Sequence, residues 1–340
     1  MSTTLFQRAL LGESLSVPPI WMMRQAGRYH QHYQARRQKY SFVEMCKNPK
    51  LAAEIAMGPI EDFDFDASIF FSDLLFTLEA LGMPLTYEPG PKLGYFLNNR
   101  DIFKTFKKTS EAVAHMSFQA EALRCTREQL PTDKSLIGFV GGPWTLFVYA
   151  TEGTHKGHLE GSYAQIELFK EFCDHMVPLL KANIELQHQA GAEVVVVMDT
   201  AAGECAPHFF KNHLLKTLEE LSKAQKPVAY YTKGGTADHY SLLNSTNYKG
   251  FGYDHRCDLP TLFKNNAQNF VQGNFNQHFL TLEPDLFKKE FDNWIAPLTK
   301  LSPQERKGWV CGVGHGLVPT TKEVNVRTFI SEVRKLFKDT

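Results

Sequence analysis

The chain has little of what marks a specialised environment. Six cysteines (Cys46, Cys125, Cys173, Cys205, Cys257, Cys311) are spread irregularly through 340 residues, and no two form a C-x-x-C pair. That spacing argues against a disulfide framework and against a structural zinc site, and leaves them as small buried hydrophobes. No apolar run approaches the ~20 residues of a membrane-spanning helix. Met1 to Leu11 is polar and short, without the apolar core of a signal peptide. The expected compartment is therefore the cytoplasm. Lys+Arg and Asp+Glu both number 37, so no net charge draws the chain onto nucleic acid or membrane. G-x-G-x-x-G after an early strand, G-x-x-x-x-G-K-[ST], H-E-x-x-H and G-x-S-x-G are all missing. His208 and His213 are poorly spaced for one helix face, and His30 and His32 have no nearby cysteine or carboxylate to complete a ligand set. Neither a metal nor a nucleotide is expected.

What is present is an ordinary globular composition, 43% apolar and 22% charged, enough for a sizeable core. Apolar runs alternate with amphipathic stretches. Eight runs read as strands: Ile20 to Met23, Ala67 to Phe71, Ser135 to Val140, Val194 to Met198, Val228 to Tyr231, Gly250 to Tyr253, Phe270 to Gln272 and Trp309 to Val313. Several are apolar throughout, which suits parallel strands covered on both faces. Helical spacing covers 49–62, 110–129, 163–189, 207–224, 282–299 and 322–338, and Pro178 is expected to kink or divide the third of these. Eight strands with intervening helices predict a (β/α)₈ barrel. A doubly wound open sheet is the alternative. No repeat, linker or low-complexity segment divides the chain, so 1–340 is expected to be one domain, with an inserted hairpin-like loop at about 82–97.

In such a barrel, sites gather at the C-terminal ends of the strands. The first run ends in Arg24 and Arg28 with Gly27 between them. Two guanidinium forks there suit carboxylates at a pocket mouth, although solvated surface arginines are the commoner case. Asp73 follows the second strand, as a site carboxylate or as a helix cap. Tyr149 comes after the Gly-Gly-Pro that ends the third, as a site phenol or an amphipathic core residue. Asp199-Thr200 follows the fourth strand, and Thr200 alternatively caps the next turn. Thr232-Lys233 and Asp254-His255 follow the fifth and sixth. His315 lies between Gly314 and Gly316, where a ligand could approach the backbone closely, or where a plain loop runs.

Trp21-Met22-Met23-Arg24-Gln25-Ala26-Gly27-Arg28-Tyr29 closely resembles the signature of the uroporphyrinogen decarboxylase family. So does Cys46-Lys47-Asn48-Pro49 followed by Ala52-Ala53-Glu54. Phe71-Ser72-Asp73-Leu74-Leu75, Gly142-Pro143-Trp144-Thr145-Leu146 through Tyr149 with Glu152-Gly153, and Gly314-His315-Gly316 with Pro319 resemble further family motifs. The match runs from about residue 17 to the C-terminus. It implies a (β/α)₈ barrel, usually a homodimer, that uses no cofactor or metal. The implied reaction removes CO2 from the four acetate side chains of uroporphyrinogen III to give coproporphyrinogen III. Carried over residue by residue, Arg24, Gln25, Ala26, Gly27 and Arg28 match the segment that meets substrate carboxylates. Asp73 matches the aspartate facing the pyrrole N–H groups, and Tyr149, Thr200 and His315 match further substrate contacts. Asp73 and Arg24 are the expected catalytic pair. The proton donor is either Arg24, a reluctant acid, or a water relayed from Asp73.

The chain departs from the family pattern in several places. Gly273-Asn274-Phe275-Asn276 stands where Gly-Asn-Leu-Asp-Pro is usual, and Asp254-His255 where Asp-Trp is common. Gly90-Pro91-Lys92-Leu93 also differs from the family's Gly-x-Gly-Pro, and the segment after Gly153 is about four residues short. Two competitors fit the same residues. One is a zinc methyltransferase of the same superfamily, for which Cys311 and His315 lack a second cysteine. The other is a tetrapyrrole-binding protein without turnover.

Overall fold

A computed structural model describes residues 3–87, 90–157, 159–265 and 270–338. Glu88 and Pro89, inside the expected insert at 82–97, and the two ends of the expected 1–340 domain lie outside the described residues. Seven strands form one sheet: β1 (Ala67–Ile69), β2 (Ser135–Gly141), β3 (Val194–Met198), β4 (Val228–Tyr231), β5 (Gly250–Gly252), β6 (Phe270–Phe275) and β7 (Trp309–Val313). Each pairs in parallel with the next one in the chain. The result is an α/β fold, a parallel sheet curving as a half-barrel with helices between its strands.

The alternation along β3 explains its unbroken Val-Val-Val-Val-Met run. Val195 and Val197 belong to the core shared with the helices, while Val194, Val196 and Met198 belong to a second cluster with Trp21, Ile137, Ala229, Tyr231 and Val310. Both faces are buried, so neither tolerates a polar residue. Tyr231 thus lies on the inner face at the C-terminal end of β4.

The first expected strand, Ile20 to Met23, shrinks to a single parallel bridge between Ile20 and Cys311. Trp21 N–H donates to Cys311 O at 3.0 Å and Cys311 N–H to Pro19 O at 2.8 Å. On the other side Asp66 N–H donates to Ile20 O at 3.0 Å, and the Asp66 carboxylate accepts Ile20 N–H at 2.7 Å. Residues 19–21 therefore touch both edges of the sheet. The ladder stops because Gln25 N–H turns back to Met22 O and Arg24 takes a left-handed backbone, φ 61°.

Other boundaries moved as well. The expected helix 110–129 is two helices, Thr109–His115 and Ser117–Gln129, separated at Met116. Pro178 does not divide its helix, which runs unbroken over Ile166–Gln189. The 207–224 stretch contains a π-helical turn at Phe210–Leu214. Within 82–97, Leu85–Thr86 and Lys92–Leu93 pair antiparallel. No helix is long and apolar enough to cross a membrane among the described residues.

Candidate active site

The loops at the C-terminal ends of the strands carry the candidate residues. Arg24 is held by the Met22–Gln25 turn and by Leu317 N–H, which donates to Met23 O at 3.0 Å. Two glycines make room for it. A Cβ on Gly27 would lie 2.7 Å from Arg24 O, and one on Gly316 would lie 2.5 Å from Arg24 Cδ. Gln25 is buried, and its amide is spent on the frame: Nε2 donates to Ala67 O at 3.0 Å and Oε1 receives a long contact from Met22 N–H at 3.4 Å. Its backbone is engaged as well, the N–H donating to Met22 O at 3.1 Å and the carbonyl accepting from the Tyr29 hydroxyl at 2.9 Å, so Gln25 holds the turn that presents Arg24. Ala26 packs against the cluster of Tyr33, Met45, Leu51 and Ile55. Arg24 and Arg28 are both exposed, and neither forms an ion pair with a carboxylate among the described residues.

Asp73 sits in the turn that follows β1. Oδ1 accepts Leu75 N–H at 2.8 Å, closing the turn that leads into the helix Phe76–Leu81; the N-cap of that helix is Leu75, which has no side-chain cap, so Asp73 fixes the approach to the helix and not its first turn. Burial pushes the carboxyl above its ordinary value, while the Leu75 N–H, Tyr87 and the charge of Arg24 pull it back. The Tyr87 hydroxyl is buried beside it, though no hydrogen bond of normal geometry joins them. Tyr149, half-buried on the helix Pro143–Glu152, has its phenol pushed up by burial and then by Asp73, with Arg24 opposing. It therefore stays a protonated donor.

His315 is the reverse case. Burial, then Arg24, Lys233, His278 and Arg256, hold its imidazole down to about 3, so it is neutral at physiological pH. Its Nδ1 lies 2.8 Å from the Tyr231 hydroxyl, which also lies 2.9 Å from Gly314 O. Lys233 follows β4 and Arg256 follows β5, so cations crowd this side of the mouth, and His278 follows β6. The carboxylate of Asp254 is buried and already committed, accepting Gly234 N–H at 2.6 Å, Arg256 N–H at 2.9 Å and Arg256 Nη1 at 2.8 Å.

The structure thus brings Arg24, Asp73, Tyr149 and His315 within one another's electrostatic reach through Arg24. Arg28 is set apart, its charge felt by Tyr33. Thr200 is half-exposed, and its side chain makes no hydrogen bond among the described residues. Its neighbour Asp199 is the brace. Asp199 Oδ1 accepts Thr145 N–H at 2.7 Å and Thr145 Oγ1 at 2.8 Å, while Oδ2 has no partner. A Cβ on Gly142 would fall 2.2 Å from Asp199 Cγ. Burial pushes Asp199 up to about 6 against the Thr145 and Trp144 contacts. This brace ties β3 to the start of the helix that carries Tyr149.

Sequence reasoning missed Tyr231 and gave Asp199 no role of its own. The signal for Tyr231 was a phenol as the last residue of an otherwise apolar inner-face strand. Among the described residues no group of His, Cys, Asp and Glu gathers closely enough to hold a metal ion. Cys311 is buried in the core that faces the helices.

A family model described as uroporphyrinogen decarboxylase (URO-D) matches residues 1–336. A uroporphyrinogen decarboxylase of Roseiflexus is 31% identical, the alignment covering 96% of this chain and 97% of the relative. One of Francisella philomiragia is 29% identical, covering 97% and 98%. Among solved structures, a methyltransferase from Methanosarcina mazei superposes with a TM-score of 0.79 at 17% identity, covering 99% of this chain and all of that one, a likeness of fold.

Proposed function

The chain belongs to the uroporphyrinogen decarboxylase family, and on that premise we propose that it removes CO2 from the four acetate side chains of uroporphyrinogen III, giving coproporphyrinogen III without a cofactor. The observation that carries this reading is an Arg24 guanidinium with no ion-pair partner among the described residues, within electrostatic reach of Asp73, a half-buried carboxyl whose pKa burial raises and Arg24 lowers.

The chemistry asks for such a pair. A carboxylate leaves as CO2 only if its bonding electrons have somewhere to go. Protonating the pyrrole carbon beside the acetate makes a cationic ring that accepts them, leaving an exocyclic methylene. A proton added to that methylene makes the methyl product, and loss of the ring proton restores the pyrrole, so one proton is consumed per CO2 released. Asp73 stabilises the developing cation and accepts pyrrole N–H bonds. A preorganised charge in a desolvated site does this better than water, because no solvent has to reorganise. Arg24 receives the reacting acetate and, with Tyr149 and Thr200, lines the substrate. Arg28, with Lys233 and Arg256, receives the remaining carboxylates as charge-assisted bonds. The proton comes from Arg24 or from a water relayed by Asp73.

The finer architecture goes with this reading. Residues 19–21 serve as the eighth stave, closing the sheet between β7 and β1 into a (β/α)₈ barrel, and 1–340 is one domain. The protein works as a cytoplasmic homodimer, which sedimentation would check. The deciding experiment is anaerobic incubation with uroporphyrinogen III and chromatography of the oxidised products. Heptacarboxyl through tetracarboxyl porphyrins are expected in sequence. Their complete absence from active-fold protein sinks the reading.

A further inference from the structure

Tyr231 ends β4 on the inner face of the sheet and is 2% exposed. Its ring lies within 12° of parallel to that of His315, centroids 6.0 Å apart. The hydroxyl meets two partners, Gly314 O at 2.9 Å and His315 Nδ1 at 2.8 Å. A phenol has one proton to give, and a carbonyl can only accept. If the proton went to His315, the Gly314 carbonyl would face an oxygen lone pair with no other donor among the described residues. Buried acceptors are rarely left that way. The phenol proton therefore belongs to Gly314 O, and the phenol oxygen accepts from His315 Nδ1–H.

That fixes one nitrogen of the imidazole and leaves the other. Nε2, across the ring from Nδ1, makes no hydrogen bond among the described residues. Three cations face the ring, Arg24 from the first loop, Lys233 after β4 and Arg256 after β5, with the His278 side chain after β6 beside them. A second proton on Nε2 would add a charge to this group while the ring is partly out of water. Nε2 therefore keeps its lone pair.

We infer that Tyr231 is a positioning residue that locks His315 in its Nδ1–H form, so that Nε2 accepts a hydrogen bond from a donor on the substrate and does not clamp a carboxylate. The naming of the donor rests on the decarboxylase reading. Ionised side-chain carboxylates of a porphyrinogen only accept, so its available donors are the pyrrole N–H groups. The cations of the mouth are then left to hold carboxylates, while Asp73 and His315 take N–H groups.

The test has one arm that needs no turnover. Full-length protein carrying nitrogen-15 histidine is compared by NMR with Tyr231→Phe, and His315→Gln assigns the signals. One ring is expected to stay neutral and protonated on Nδ1 from about pH 8 to about pH 5, to vanish in His315→Gln, and to change tautomer in Tyr231→Phe. An imidazolium signal or an Nε2–H form for His315 near neutral pH in the wild type overturns the inference. The kinetic arm compares His315→Gln, which can still present an acceptor, with His315→Lys, which presents a fixed cation. The glutamine variant is expected to keep kcat/KM within about tenfold and the lysine variant to lose more than about a hundredfold; the opposite ranking overturns the inference. Tyr231→Phe is expected to lose about tenfold in kcat/KM with no new pH dependence between about pH 5 and 7, because burial and the surrounding charges still keep the ring neutral. If wild-type protein never converts uroporphyrinogen, the decarboxylase reading fails, while the NMR result still decides the tautomer.

Discussion

Asp73 lies past the end of β1 and His315 past the end of β7, the two strands that flank the Arg24 segment. Both feel the Arg24 guanidinium, and both are half-buried. On the Asp73 side the two influences oppose: burial raises the carboxyl and Arg24 lowers it. On the His315 side they act together, burial and then Arg24 driving the imidazole down to about 3. One cation therefore supports a negative charge on one flank and forbids a positive charge on the other. The mouth of the site is divided before any substrate arrives, with a carboxyl whose charge Arg24 favours at one edge and a neutral imidazole at the other.

The comparison breaks most visibly if the charge of Asp73 is removed. Asp73→Asn keeps an oxygen for Leu75 N–H, so the turn into Phe76–Leu81 should survive. On the proposed mechanism it removes the charge that faces the developing cation, and kcat is expected to fall about 10²–10³-fold with a smaller change in KM. Steady-state kinetics at unchanged thermal stability checks this. Near-normal kcat would take Asp73 out of the catalytic step.

Next in size is Arg24→Gln, which tests both flanks at once. Removing the cation deletes an influence that lowers Asp73 and one that lowers His315, so both should move up. The acid limb of the kcat/KM profile, set by protonation of Asp73, is expected to shift to higher pH. At neutral pH kcat/KM should drop about a hundredfold from the lost carboxylate fork. An acid limb that stays put or moves down would show that Arg24 does not couple the two sides.

A gentler perturbation displaces Arg24 without deleting it. Gly316 has no left-handed φ to defend, so alanine fits its backbone. The new Cβ would lie 2.5 Å from Arg24 Cδ and 3.0 Å from Nε, so the flexible stem must move. Gly316→Ala is expected to raise KM about tenfold while leaving the melting temperature within a few degrees of wild type. Unchanged KM would mean that the position of the guanidinium along this path does not matter.

How much of this was written in the sequence follows from the range of each interaction. β3 and β7 were legible to the residue because strands buried on both faces must be apolar throughout. Asp73, Tyr149 and His315 could be placed beyond strand ends because each follows a strand run, whereas Arg24 ends an apolar run that pairs only at Ile20. Helix interruptions at Met116 and at Phe210–Leu214 were not, since apolar spacing survives one misplaced turn. The first strand was overread because an apolar run says nothing about the left-handed turn that Arg24 makes. Tyr231 with His315 and Thr145 with Asp199 are pairs 84 and 54 residues apart, and no local pattern couples them.

The smallest expected effect on activity belongs to Asp199, which braces the frame without touching the mouth. Its pKa is raised from 3.8 in the unfolded chain to about 6 in the fold, chiefly by burial. A carboxyl raised in this way contributes stability that is full below about pH 4 and is lost as the pH rises to about 6, since the folded state binds the proton more tightly. The loss is on the order of 3 kcal/mol at pH values above both. Asp199→Asn keeps an Oδ1 to accept from Thr145 N–H and Oγ1, but it cannot ionise. Relative to wild type, the variant should therefore gain stability between about pH 4.5 and about pH 7.5, by a few kcal/mol, with kcat near normal. Urea unfolding at the two pH values measures the difference directly. A gap between variant and wild type that does not change with pH would mean that Asp199 titrates in the fold as it does in the unfolded chain. Burial of the brace would then carry no cost for its charge, and its contrast with Asp73, whose carboxyl is drawn back by Leu75 N–H, Tyr87 and Arg24, would be lost.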